Sequence, residues 1–270
     1  MVNFFISAFY FPGLGAVPVL IAIGLGLLFG AVWLTPYRPP VIKRYGLWLV
    51  ALVSAIFTWA AISFVQVLLQ GLASQAMLTF WDEATLMAWL LLAGLPPILF
   101  SGLVQEAAKL VPVIVYRRRT DWTFTPRVGL MVGAVSGVGF GVFEAVWVHN
   151  TIFARGWSWS MVAASGFPAL LGFFERFFAV GFHTAVSALA GYGLACGRGW
   201  RFYLIAALLH ALLNYSVVIL QKGLITAVQM EIYVAVITLV LTAAVLWLRW
   251  RRSGDETGQT SNAANDEFSG

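Results

Sequence analysis

Residues 46–69 read GLWLVALVSAIFTWAAISFVQVLL, without one charged side chain. A hydrocarbon core about 30 Å thick takes roughly 20 apolar residues as a helix, so this stretch alone predicts a membrane span. Working outward by the same rule gives seven. The first covers about Gly13 to Thr35, the second about Gly46 to Leu69 and the third about Ala84 to Tyr116, with a kink expected at Pro96-Pro97. The fourth covers about Val128 to His149, the fifth about Phe174 to Ala195, the sixth about Phe202 to Leu220 and the seventh about Val228 to Leu248. Residues 156–172 read as an interfacial or re-entrant helix. The expectation is an all-α, polytopic transmembrane bundle, one domain over residues 1–252, seated in the cell membrane as a multi-pass protein.

Composition agrees. Of 270 residues, 61% are hydrophobic and 10% charged, against about a quarter charged in soluble domains. The formal charge of +5 is scattered in short clusters between apolar runs, which excludes a nucleic-acid-binding face. A single cysteine, Cys196, excludes an intrachain disulfide framework. No Lys or Arg precedes the first apolar run, so the first span is expected to stay in the mature chain. Of the 16 basic residues, twelve fall in loops on one side: Arg38, Lys43, Arg44, Arg117, Arg118, Arg119, Arg127, Arg198, Arg201, Arg249, Arg251 and Arg252. That side should be cytoplasmic, with the N-terminus outside and the C-terminus inside. From Ser253 onward SGDETGQTSNAANDEFSG reads as a disordered polar tail, residues 253–270.

The polar residues within or at the edges of spans are few: Gln105, Glu106, Lys109, Glu144, Glu175, Arg176, His183, His210 and Asn214. Each is costly in lipid and needs a partner. Glu106 and Lys109, three apart, share a face as an ion pair would; His210 and Asn214, four apart, share another. At 1.5 Å per residue, His210 lies roughly 13 Å from Arg201 and Glu106 roughly 16 Å from Arg117, in the same half of the bilayer. His183 and Glu144 lie roughly 22 and 25 Å from the basic ends of their spans, within reach if the glycine-rich fourth helix tilts. Gly129, Gly133 and Gly137, four apart, fit close helix approach.

Such residues brought together suit either of two chemistries. Carboxylates and imidazoles can activate a water while an amide stabilises the oxyanion. Alternatively Glu144, His183 and His210 offer the two-histidine, one-carboxylate set that suits zinc. Spacing leaves both open, and there is no HExxH motif. Lys109 and Arg176 read as charge partners of the carboxylates.

Four segments in order resemble the PrsW and YhfC groups of intramembrane peptidases, in the wider set of CAAX-prenyl and bacteriocin-processing membrane peptidases. GLVQEAAKLVPV resembles the first motif, GAVSGVGFGVFEA the glycine-rich second with Glu144, ERFFAVGFHTAVSALAGYGLA the third with Arg176 and His183, and HALLNYS the fourth with His210 and Asn214. The resemblance covers residues 103–218. QEAAK is closer to PrsW, the third and fourth motifs to YhfC. It implies hydrolysis of a peptide bond in a membrane protein or lipidated peptide, with Glu106, Glu144, His183, His210 and Asn214 catalytic and Gln105, Lys109 and Arg176 supporting. In one departure, Gln105 stands where the family's first motif opens with a Glu, and a Gln cannot be a general base. Glu106 or Glu144 then carries that role, or the chain is a non-catalytic membrane scaffold of the same fold. A small transporter is the third reading, disfavoured because the two halves show no repeat.

Overall fold

The computed structural model describes residues 1–267, and of residues 251–267 the backbone only. Among the described residues every regular element is helical. Seven helices are long and apolar enough to cross a membrane: Ala16–Tyr37, Gly46–Leu78, Leu90–Arg119, Pro126–Ala154, Phe167–Ala195, Gly199–Gln221 and Ala227–Trp250. They are called first to seventh below. The seventh continues as a helical trace to Glu267. The expected disordered tail falls on residues of which only backbone is described and on 268–270, outside the described residues.

The bounds of several helices differ from expectation. The second helix runs on to Leu78 past Gln70, whose amide donates to the Pro97 carbonyl at 2.8 Å, so its polar end is satisfied by the third helix. Within it, residues Ile62–Gln66 form a π turn, which rotates the residues that follow.

The third span is interrupted at Gly94, two residues ahead of the Pro96-Pro97 pair where a kink was expected. A short helix Glu83–Ala88 comes first, capped by Asp82, which accepts from the Thr85 N–H at 2.7 Å. Hydrogen bonds from the Thr85 hydroxyl and N–H hold the Asp82 carboxyl below the usual carboxylate range. After Leu90–Ala93 a new helix, Leu95–Arg119, opens with both prolines in its first turn, where a missing N–H has no helical partner to lose. The interior proline of that helix is Pro112.

Residues 156–172 hold a short helix, Trp159–Ser165, and a turn, Phe167–Leu170, leading into the fifth helix. The sequence reading also missed a helix at Val2–Ile6. It lies against the second helix, with the Trp59 indole donating to the Phe5 carbonyl at 2.9 Å and Phe4 stacked on the same ring.

The fourth and fifth helices are the most enclosed of the seven. Their contact is made by backbone. A Cβ at Gly129, Gly133 or Gly137 would collide with the carbonyl oxygen of Gly191, Ser187 or His183 respectively. The four-residue glycine stripe is therefore a register device, and its last member seats the His183 backbone directly on the fourth helix. Gly139, on the other side of that helix, is pressed in the same way against Ala51 of the second. At Gly102 the third helix meets the backbone of Ala207 on the sixth, one turn from Glu106 on one side and His210 on the other.

Candidate active site

The backbone approaches at Gly137 and Gly102 bring the third, fourth, fifth and sixth helices to one point, and there the expected polar residues meet. Glu106 and Lys109 are each 1% exposed and form an ion pair of 2.6 Å. The same carboxylate oxygen, Oε1, lies 2.6 Å from His210 Nδ1. The Lys109 ammonium lies 3.0 Å from His183 Nδ1, and the far nitrogen of that ring, Nε2, lies 3.1 Å from Glu144 Oε2. Arg176 donates to Glu144 at 2.8 Å and also pairs with its neighbour Glu175. The two imidazole centroids are 5.2 Å apart, with Phe140 edge-on to His183 and Phe182 edge-on to His210. Aromatic walls keep the cluster dry and strengthen every charge interaction inside it.

Lys109 is further fixed through its backbone. Its carbonyl accepts from Ser136 Oγ at 2.6 Å, and Ser54 Oγ lies 2.9 Å from the same hydroxyl. One hydroxyl has one proton, so Ser54 is the donor to Ser136. The second, third and fourth helices are thereby tied at the level of the cluster by two serines absent from the sequence reading.

Gln105 and Asn214 do not join the titratable cluster through any of these bonds. Gln105 Nε2 donates to Gln66 Oε1 at 3.1 Å and to Ser101 Oγ at 3.2 Å, and Asn214 Nδ2 donates to Ser101 Oγ at 2.8 Å. These four side chains form a second, neutral group beside the charged one. Asn214, which shares a helix face with His210, turns to Ser101. Gln66 sits in the π turn of the second helix and Ser101 one turn before Gln105. A lone amide within an apolar span was the available signal for Gln66. Glu231, in the seventh helix, is a further buried acid, 5% exposed.

Two buried acceptors in these groups have no hydrogen-bond partner, Glu106 Oε2 and Gln105 Oε1. An unsatisfied buried acceptor costs about 1–3 kcal/mol, so both mark positions at which a further group would bind favourably.

Glu106, His183 and His210 each bring one ligand atom within 4.8 Å of the others. The expected metal set was Glu144, His183 and His210. The compact set has Glu106 in place of Glu144, because Glu144 approaches His183 at Nε2, on the side of the ring away from Lys109. Two imidazoles and one carboxylate are the donors of many catalytic zinc sites, the free Glu106 oxygen adds capacity, and Glu144 stands where a carboxylate orients a ligating histidine. The donor set suits a divalent ion, with the Lys109 ammonium its competitor for Glu106 and His183.

A bundle of seven apolar helices that encloses a charged, metal-competent cluster defines a multi-pass membrane protein with a buried polar site. Residues 47–245 match the PrsW family intramembrane metalloprotease, and the chain belongs to that family. It is a membrane-embedded peptidase. Comparison with curated proteins and with solved structures gave no match.

Proposed function

We propose that this peptidase hydrolyses a peptide bond of a membrane-associated protein at the Glu106, His183 and His210 cluster. The observation that carries the reading is the convergence of those three donors, all buried, on one point shared by four helices. They would hold a divalent ion of the zinc type, which when bound supplies a Lewis acid for the scissile carbonyl and the attacking water.

The remaining work falls to the side chains. Glu106 Oε1 lies beside Lys109 and His210 and would be the oxygen shared with the ion, leaving Oε2 to take a proton from water and return it to the departing amine. Glu144 holds His183 in one orientation and Arg176 holds Glu144. The neutral group acts on the substrate. A peptide unwound for cleavage exposes N–H groups that lipid cannot satisfy, and Gln105 Oε1 is a free acceptor for one of them. Gln66, Ser101 and Asn214 keep Gln105 in place. The substrate is a transmembrane or lipid-bearing polypeptide, and the centre lies nearer the cytoplasmic side.

New N-termini in membrane fractions test this. Cells making the wild type, Glu106→Gln, Glu144→Gln or His210→Ala at matched levels should differ, with cleavage products lost for Glu106→Gln and His210→Ala and reduced for Glu144→Gln. Identical profiles in all four, with each protein folded, would overturn it and favour the non-catalytic scaffold.

A further inference from the structure

Away from the cluster, a groove of about 820 Å³ lies between the second and third helices, at the end where the basic loops gather. Its walls repeat at helical spacing. Leu49 and Val53 on the second helix face Val111 and Val115 on the third, and all four side chains are exposed. Its floor is closed by Val50 packed with Val113. At the charged end the helices touch, since a Cβ at Gly46 would lie 3.2 Å from the Tyr116 ring. The recess is therefore narrowed at its charged end.

The mouth carries charge of one dominant sign. Lys43, Arg44 and Arg119 line it together with Asp121. Arg44 is committed: it pairs with Asp121 at 3.4 Å and lies over the Trp122 ring at 4.3 Å. That contact offsets the one acid. Lys43 and Arg119 are exposed, and no carboxylate pairs with either among the described residues. From Arg119 to Val111 the slot extends roughly 12 Å along the helix. Two free cations at the boundary, followed by an apolar slot one chain wide, match a molecule with an anionic head and a hydrocarbon tail.

We propose that this groove is a binding site for one anionic phospholipid of the surrounding bilayer, its phosphate held by Lys43 and Arg119 and one acyl chain lying along Leu49, Val53, Val111 and Val115. The site is independent of the peptidase reading, because none of these residues is a hydrogen-bond or ion-pair partner of the Glu106 cluster. It also gives the two helices a filled seam where their own side chains leave a gap.

Native mass spectrometry of the purified full chain tests the site, with phosphatidylglycerol and phosphatidylcholine of identical acyl chains added separately. The wild type should bind one phosphatidylglycerol at a concentration on the order of tenfold below that needed for phosphatidylcholine, as two surface cations near a phosphate would give. Lys43→Gln with Arg119→Gln should abolish the preference, and Lys43→Arg with Arg119→Lys should keep it. Val53→Trp, which fills the slot, should weaken both lipids with the mouth intact. Equal binding of the two lipids by the wild type, or a preference that survives the double Gln variant, would overturn the proposal as ordinary boundary-lipid contact.

Discussion

The Lys109 ammonium lies 3.0 Å from Nδ1 of His183, while Glu144 lies 3.1 Å from Nε2 of the same ring. An ammonium has only donors, so Nδ1 accepts and the ring proton is on Nε2, directed at Glu144. That tautomer is the one a metal-ligating histidine adopts when a carboxylate supports it from behind. Lys109, which also pairs with Glu106, therefore occupies the donors a divalent ion would use. The fold carries its own cation at the centre.

Lys109→Met should thus have two opposite effects. Without added metal the buried Glu106 loses its charge partner, which costs about 3–5 kcal/mol, and the thermal midpoint falls. With zinc or cobalt the competing charge is gone, so the ion binds more tightly than in the wild type and restores stability. Thermal unfolding of the purified protein with and without the ion measures both. A variant that zinc does not rescue would show that Lys109 and the metal do not share donors.

Gln105→Glu asks whether the amide at the family's first Glu position has silenced the chain. Gln105 bonds to Gln66 and Ser101, so a carboxylate there would face the neutral group and leave the Glu106 cluster as it is. Cleavage of a fixed substrate should stay within about tenfold of wild type, the size of a supporting effect and well short of losing a general acid or base. A gain of two orders of magnitude would mean that the native chain lacks its base. Gln66→Leu should raise KM with little change in kcat, because it loosens the substrate-facing amide.

Most of the bundle was legible in the sequence because lipid permits so little: a charge-free stretch such as residues 46–69 has few alternatives to a spanning helix. The cluster was legible for the same reason, since Glu106, Lys109, His183 and His210 are expensive anywhere else. What helical spacing could not give was the rotation of one helix against another. Glu106 and Glu144 were equivalent candidates for the histidines until the Gly102 and Gly137 contacts fixed which carboxylate faces which ring nitrogen. Asn214 shares a face with His210, yet Ser101, on a neighbouring helix, is its hydrogen-bond partner. Gln66 depends on a π turn that has no sequence signature.

Gly137→Ala tests that registration directly. The added methyl meets the His183 carbonyl, a backbone atom that cannot turn aside, and overpacking of this kind costs about 1–3 kcal/mol. Metal binding should weaken together with thermal stability, because the fourth helix carries Glu144 and the fifth carries His183. Gly24→Ala, where a Cβ meets nothing within 4 Å, should leave both unchanged. Equal losses at the two sites would deny the glycine stripe any special part in placing the cluster.

Glu144→Gln isolates the support behind His183. The amide oxygen can still accept from Nε2, so the ring keeps a partner, but the carboxylate charge that Arg176 anchors is lost. Supporting carboxylates of this kind are worth about 10–100-fold in metal affinity or activity, and a loss in that range is expected for both. Glu175→Gln removes a neighbouring charge on the same Arg176 without touching His183, so it should have the smaller effect. If the two variants are equally impaired, the benefit comes from charge balance around Arg176, and Glu144 has no separate role in orienting the histidine. If Glu144→Gln alone falls, orientation of His183 is what the fourth helix contributes to the reaction.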